Sequence, residues 1–68
     1  MFDEKAFAEK MDELGMSISS ISKKSGISYK ALYPKIKGTV GWTFEQADRV
    51  AEAMRLSHED KVRIFMPD

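Results

Sequence analysis

Residues 17–38 read SISSISKKSGISYKALYPKIKG, two short polar and apolar segments that meet at a glycine. This order fits a helix of about eight residues, a three-residue turn and a second short helix. A steep crossing through so short a turn needs a residue that accepts a positive φ, which favours Gly26. Ile27 is then expected to enter the core, and Ser28 to cap the second helix. The segment therefore predicts two helices joined by a tight turn.

Capping residues and apolar spacing divide the rest of the chain into three further helices. Phe7, Met11 and Leu14 recur at helical spacing and predict one buried stripe near the N-terminus. Thr43 and Gln46 form the pair expected of a capping box. The helix that they begin is predicted to turn inward Phe44, Ala47, Val50, Ala51 and Met54. No alternating β-branched run predicts a strand, so we expect an all-α fold. The predicted helices of this single domain, residues 1–68, cover about 3–14, 18–25, 29–36, 44–55 and 58–65.

Composition restricts how so short a chain is stabilised and what it does. Its 68 residues suffice for one domain and include no cysteine, which excludes disulfides. The single histidine, His58, cannot form a zinc site alone, and no nucleophile arrangement or phosphate loop is present, so we expect no metal, cofactor or catalysis. No apolar run approaches the roughly 18 residues of a membrane span, and the N-terminus does not resemble a signal peptide. We therefore expect a cytoplasmic protein.

Charge is distributed unevenly, although the chain has eleven basic and eleven acidic residues. Residues 16–42 contain five lysines and no acidic residue. Residues 1–15 carry two lysines against five acidic residues, and residues 43–68 carry four basic against six acidic residues. Affinity for a phosphate backbone depends on local rather than total charge, so the central segment is a candidate for contact with nucleic acid. A solvated lysine-rich surface explains the pattern equally well, and both interpretations stay open.

Several short motifs carry a resemblance to a known family. They are GMSISSISKKSGIS at residues 15–28, KIKG at 35–38, TFEQAD at 43–48 and AMRLS at 53–57. In this order they resemble the Cro and phage-repressor type of helix-turn-helix domain, also called lambda-repressor-like, over roughly residues 4–65. The tail VRIF at residues 62–65 is similar to the endings of small phage-encoded regulators. The resemblance implies a compact five-helix bundle that binds operator DNA sequence-specifically as a transcriptional regulator, and hence a nucleoid-associated location.

The resemblance also implies which residues contact DNA. The third helix would lie in the major groove, and the N-terminus of the second would meet a phosphate. Base edges would be contacted by Tyr29, Lys30 and Tyr33. Lys30 could read guanine O6 or N7, and the tyrosines could hydrogen-bond to bases or phosphates or pack on thymine methyl groups. Phosphate contacts that set the register would come from Ser17, Ser19, Lys35, Lys37 and Thr39.

Two features depart from the family's pattern. Pro34 lies inside the predicted third helix, where it removes a hydrogen bond to the carbonyl of Lys30. We therefore expect that helix to be short or kinked after Leu32. The family places its later core residue where this chain has Lys35, so we expect Ile36 to take that role.

Apolar residues near the C-terminus predict contact with a second copy. Ile64, Phe65 and Met66 offer more apolar surface than one short helix hides, and the resembled regulators commonly pair through this end. A two-fold homodimer would present its recognition helices about 34 Å apart to a pseudo-palindromic operator. Trp42, ahead of the capped fourth helix, is instead predicted to pack as a hydrophobic staple.

Two alternatives to DNA binding remain open. The same scaffold could serve as a protein-binding antirepressor or adaptor, which the neutral total charge and the acidic first helix suit. A purely structural oligomer would assemble beyond a dimer and bind neither DNA nor a regulator. A salt series distinguishes the main hypothesis, because affinity for DNA falls steeply with salt.

Overall fold

Five α-helices are present in residues 1–67, the part of the chain that the computed structural model describes. They are α1 (Glu4–Leu14), α2 (Ile18–Ser25), α3 (Tyr29–Ile36), α4 (Phe44–Ala53) and α5 (His58–Phe65). No strand occurs within residues 1–67. The predicted all-α class and the number of helices are confirmed. Within the same residues, no helix has the length and apolar character needed to cross a membrane.

Side-chain caps begin every helix, because the first backbone N–H groups of a helix lack partners inside it. Ser17 Oγ accepts from the Ser20 N–H at 3.1 Å, and Ser20 Oγ accepts from the Ser17 N–H at 2.9 Å. Thr43 and Gln46 form the same reciprocal pair at 3.1 and 3.3 Å. The other helices are capped by Asp3, Ser28 and Ser57. Local side chains therefore fix where each helix starts.

The end of α4 is set by Arg55, which adopts a left-handed φ of 54°. The Leu56 N–H donates to Ala51 O at 2.9 Å, and the Arg55 N–H donates to Glu52 O at 3.0 Å. This pair of bonds closes a helix in the way that usually requires glycine. The prediction that α4 runs to residue 55 is therefore slightly too long, because an arginine gives no signal for such an ending.

A single hydrophobic core receives one fully buried large side chain from each helix. These side chains are Phe7, Ile21, Leu32, Val50 and Ile64. The closest helix neighbours are α2 with α3, α2 with α4, and α1 with α5. Burying one such side chain stabilises the fold by about 1.5–3 kcal/mol. Every helix is thus anchored from its inner face, and its outer face is free for other roles.

Two residues predicted to face inward are exposed instead. Leu14, the last residue of α1, is 41% exposed, and Phe44, the first residue of α4, is 80% exposed. Helical spacing predicts which side chains share a face. A side chain at the end of a helix stays in solvent, however, if the neighbouring helix does not reach it. The prediction of burial at these two positions is wrong for this reason.

Four aromatic side chains pack together where the chain's two ends meet: Phe2, Phe7, Trp42 and Phe65. The Phe2 ring centroid lies 5.5 Å from that of Phe7 and 5.2 Å from that of Trp42. Trp42 and Phe65 meet edge to face at 5.0 Å. Such tilted contacts are favourable for aromatic quadrupoles. The prediction that Trp42 packs internally is confirmed.

Candidate nucleic-acid interface

The turn between α2 and α3 is held by the serines of α2. Gly26 has a φ of 77°, and Ile27 is 6% exposed in the core. Ser22 Oγ donates to Ile27 O at 2.6 Å, and Ser25 Oγ accepts from the Ile27 N–H at 3.2 Å. Both backbone groups of Ile27 are therefore bonded, which fixes the start of α3 relative to α2. The structural roles predicted for Gly26, Ile27 and the capping Ser28 are confirmed.

The outer face of α3 carries the three residues predicted to contact bases. Tyr29 is 49% exposed, Tyr33 is 44% exposed, and Lys30 is also exposed. The two tyrosine rings stack with their centroids 6.0 Å apart and their planes 30° from parallel. On the opposite face, Leu32 and Ile36 are buried, so Ile36 takes the core position expected of it. The helix thus presents two rings and an ammonium group to solvent.

Lys37 extends this exposed face toward the C-terminal end of α3. Its Nζ lies 5.5 Å from the centroid of the Tyr33 ring, within the range of a cation–π interaction. Glu4 and Asp12 of α1 line the same groove as Lys37. The carboxylates of α1 therefore approach the C-terminal end of α3, where they reduce the local positive potential.

Four of the five residues predicted to contact phosphates are exposed: Ser17, Ser19, Lys37 and Thr39. The hydroxyl of Ser17 serves as the α2 cap, and Thr39 Oγ1 donates to Pro34 O at 3.1 Å. Ser17 and Ser19 stand at the start of α2, whereas Lys37 and Thr39 follow the other end of the α2–α3 pair along the chain. In space the two sets are neighbours, because Met16 and Ile18 at the start of α2 line the same groove as Ile36 and Lys37 at the end of α3.

Lys35 is the exception, and its predicted phosphate contact is wrong. Its side chain is 8% exposed, and its Nζ donates to Gly41 O at 2.8 Å. The loop after α3 folds back so that this carbonyl reaches the ammonium group, which is then unavailable to DNA. Lys35 fastens the loop to α3 instead.

Pro34 does not end α3, which continues to Ile36. The expectation that the helix stops or kinks after Leu32 rested on the hydrogen bond that proline removes from the carbonyl of Lys30. The loss of that one bond does not end the helix, because the residues on both sides of Pro34 remain helical. The carbonyl of Pro34 itself accepts from the Thr39 N–H at 2.9 Å, which joins the end of α3 to the following loop.

The ion pairs within residues 1–67 lie on α1, α4 and α5. They join Lys10 with Glu13 and Asp60, Lys61 with Asp48, and Arg63 with Asp60. Hydrogen bonds from Lys10 and then Arg63 hold the pKa of Asp60 below its usual value. None of these pairs involves a lysine of residues 16–42, so the positive charge of that segment is not neutralised by a direct ion pair in the described chain.

The C-terminal residues predicted to form a dimer contact differ in exposure. Ile64 is fully buried and its carbonyl accepts from the Asp3 N–H at 2.8 Å, so its predicted contact with a second copy is wrong. Phe65 is half-buried in the aromatic cluster, and Met66 is 42% exposed. The sequence reasoning missed Phe44, which lines a groove of about 340 Å³ with Phe65 and Met66. Its position as the first residue of α4, directly after the Thr43 cap, was the sequence signal for its exposure.

No protein-family model, curated protein or solved structure matches this chain. Family membership is therefore not assigned. The function of the protein has to be inferred from the geometry and charge of its own residues.

Proposed function

We propose that this protein is a sequence-specific DNA-binding transcriptional regulator, with α2 and α3 acting as a helix-turn-helix of the lambda-repressor type. The observation that carries the proposal is the outer face of α3, where Tyr29, Lys30 and Tyr33 lie exposed. They belong to residues 16–42, which contain no acidic residue. An α-helix fits the major groove, where each base pair presents a distinct pattern of donors, acceptors and methyl groups.

The exposed groups divide into those that read bases and those that set position. Lys30, in the first turn of α3, donates to guanine O6 or N7 in this proposal. The N-terminus of α2, capped by Ser17, approaches a phosphate with its free backbone N–H groups. Lys37 and Thr39 contact phosphates beyond the other end of α3. Lys35 takes no part, since its ammonium group is bonded within the protein.

We further propose that two copies pair through the groove beside Phe44. Phe44 is 80% exposed and Met66 is 42% exposed, which leaves apolar surface in water at the edge of this groove. A two-fold arrangement places Phe44 of each copy against the groove of the other, because the same patch serves both sides of such an interface. To bind a pseudo-palindromic operator, this dimer has to present its two α3 helices about 34 Å apart.

The test is a selection of bound sequences from random duplex DNA, followed by a salt series on the selected duplex. A consensus with two-fold symmetry and a log-linear loss of affinity between about 50 and 200 mM salt are expected. Lys30→Ala should lower discrimination at one base position by about 1–3 kcal/mol, whereas Lys37→Ala should weaken all sequences alike. Failure to enrich any sequence, together with no binding to duplex DNA at low salt, would contradict the proposal.

A second candidate function, protein-directed regulation as an antirepressor or adaptor, is favoured by a groove along α1. This groove of about 250 Å³ is lined by apolar side chains, among them Met11, Met16 and Ile36, by the carboxylates of Glu4 and Asp12, and at its edge by Lys37. Flexible methionines between carboxylates suit a basic amphipathic helix. Under this candidate, Glu4→Gln and Asp12→Asn weaken binding of the partner protein, and Tyr29→Ala and Lys30→Ala, which lie outside this groove, do not.

A further inference from the structure

We infer that the stacked pair Tyr29 and Tyr33 recognises the methyl groups of two thymines that lie two base-pair steps apart in the major groove. This inference rests on the proposed DNA-binding function and specifies what that site reads.

The fold itself does not require aromatic side chains at these two positions. Large aromatic residues are usually buried to a great extent, yet Tyr29 and Tyr33 remain 49% and 44% exposed. The inner face of α3 already fills its part of the core with Leu32 and Ile36. The rings therefore offer apolar surface to a partner. Substituting them should cost the fold little stability.

The two rings are also held in place before any partner arrives. They stack at 6.0 Å, and Lys37 Nζ lies 5.5 Å from the centroid of the Tyr33 ring. Tyr33 is thus bounded by another ring and by an ammonium group. A side chain already restricted in this way loses less rotamer freedom on binding, so more of the contact energy contributes to affinity.

Thymine is the DNA base that presents a methyl group in the major groove, and apolar side-chain surface is its usual partner there. Stacked base pairs are separated by about 3.4 Å, so two steps cover about 6.8 Å. Measured along the duplex axis, the 6.0 Å between the ring centroids is nearer to two steps than to one. A helix lying along the groove therefore brings one ring to each of two thymines with one base pair between them.

The test replaces thymine by uracil, which lacks only the methyl group, at each thymine of the duplex selected with the wild-type protein. Each replacement should weaken binding about fourfold, the fold-change that corresponds to the ~0.8 kcal/mol of one buried methyl or methylene group. Replacing both thymines should weaken binding about 15-fold. Tyr29→Phe and Tyr33→Phe should keep the preference for thymine, because the rings remain. Tyr29→Ala and Tyr33→Ala should each lose it at one position.

Each possible outcome decides for or against the inference. Equal binding of thymine and uracil duplexes by the wild-type protein overturns it, while the proposed function stands. A selected site without thymines two steps apart overturns it as well. Loss of the thymine preference in the Tyr→Phe variants assigns the recognition to the hydroxyl groups and also overturns it. Absence of binding to any duplex overturns the inference and the proposed function together. A folded Tyr→Ala variant that keeps the thymine preference at both positions overturns it too. Thermal unfolding of each Tyr→Ala variant shows whether its fold is kept, and Tyr→Gln, which removes the ring but keeps a longer side chain, replaces any alanine variant that does not fold.

Discussion

Two groups of aromatic side chains in this protein have similar distances between ring centroids and different surroundings. In the cluster of Phe2, Phe7, Trp42 and Phe65, the ring centroids lie 5.0–6.2 Å apart. Tyr29 and Tyr33 stack at a comparable 6.0 Å, but on the outer face of α3. Contact between rings therefore does not distinguish a core from a binding surface. The distinction comes from the other neighbours: buried aliphatic side chains in the first group, and a lysine with solvent in the second.

The buried cluster even tolerates an unsatisfied polar atom. Trp42 Nε1 is buried and has no hydrogen-bond partner within residues 1–67. Leaving such a donor unpaired costs about 1–3 kcal/mol. The indole contacts Phe2, Phe7 and Phe65, and this apolar packing offsets that cost. The cluster is thus stabilised by apolar contact, and Phe7, its fully buried member, should be the one most sensitive to substitution.

The largest expected difference in stability is between a variant of Phe7, in the buried group, and a variant of Tyr33, in the exposed pair. Phe7 is fully buried, so Phe7→Ala should reduce the free energy of unfolding by about 3–5 kcal/mol, through lost burial and the cavity left behind. The core of a domain of this size supplies a net stability of only about 3–5 kcal/mol. Circular dichroism at 25 °C should therefore show the variant to be largely unfolded. Tyr33→Ala should change stability by less than about 1 kcal/mol, since the ring is partly exposed. Equal losses at both positions would show that the outer stack also supports the fold.

A second effect tests whether the turn that joins α2 to the tyrosine-bearing α3 depends on the left-handed backbone of Gly26. A Cβ on Gly26 would meet open space, but the φ of 77° is unfavourable for any other residue. Gly26→Ala should therefore reduce stability by about 1–2 kcal/mol. Gly41 provides the control, because it too has open space around it and lacks such a φ. Gly41→Ala should be neutral or stabilise by up to about 1 kcal/mol. Urea unfolding of both variants measures the difference.

Helix positions could be predicted from the sequence because their signals are local. Capping serines, threonine and aspartate stand directly before the helices, and each bonds a backbone N–H three residues ahead. The predicted limits of α2, α3 and α5 agree with the structure for this reason. The exposure of Tyr29, Lys30 and Tyr33 also follows from local spacing, since Leu32 and Ile36 define the inner face of α3.

Contacts between distant residues could not be predicted in this way. The bond between the Lys35 ammonium group and Gly41 O depends on the fold of the following loop, which no local pattern indicates. The burial of Lys35 and the exposure of Lys37 could have been predicted, because Lys35 lies three residues after the buried Leu32 and on the same face of α3. Ile64 was expected to be exposed and is buried, and Phe44 was expected to be buried and is exposed, again because of contacts between distant residues. Ile64 packs against the start of the chain through Asp3, and Phe44 extends past the end of the neighbouring helix surface.

A third, smaller effect is on the salt dependence of DNA binding. It compares the buried Lys35 with the exposed Lys37 through the same substitution to methionine. Lys37→Met should reduce the slope of log affinity against log salt by about one, because one phosphate contact is lost. Lys35→Met should leave the slope unchanged, since its ammonium group is bonded to Gly41 O. Its stability should change by less than about 1 kcal/mol, because the lost hydrogen bond is offset by no longer burying an ammonium group. A reduced slope for Lys35→Met would restore it as a phosphate contact.

The smallest effect is expected at the ion-paired surface of α1 and α5, which contrasts with α3, whose lysines form no ion pair within residues 1–67. Hydrogen bonds from Lys10 and Arg63 lower the pKa of Asp60 in the folded state. Its stabilising contribution is therefore complete above about pH 4 and is lost as pH falls through the lowered folded pKa. Asp60→Asn should lower the melting temperature slightly at pH 7, and the gap to the wild type should close toward pH 2. Glu59→Gln, next to it and outside the ion pairs of residues 1–67, should show a smaller gap. A gap at Asp60→Asn that persists unchanged to pH 2 would mean that its side chain acts through packing rather than charge.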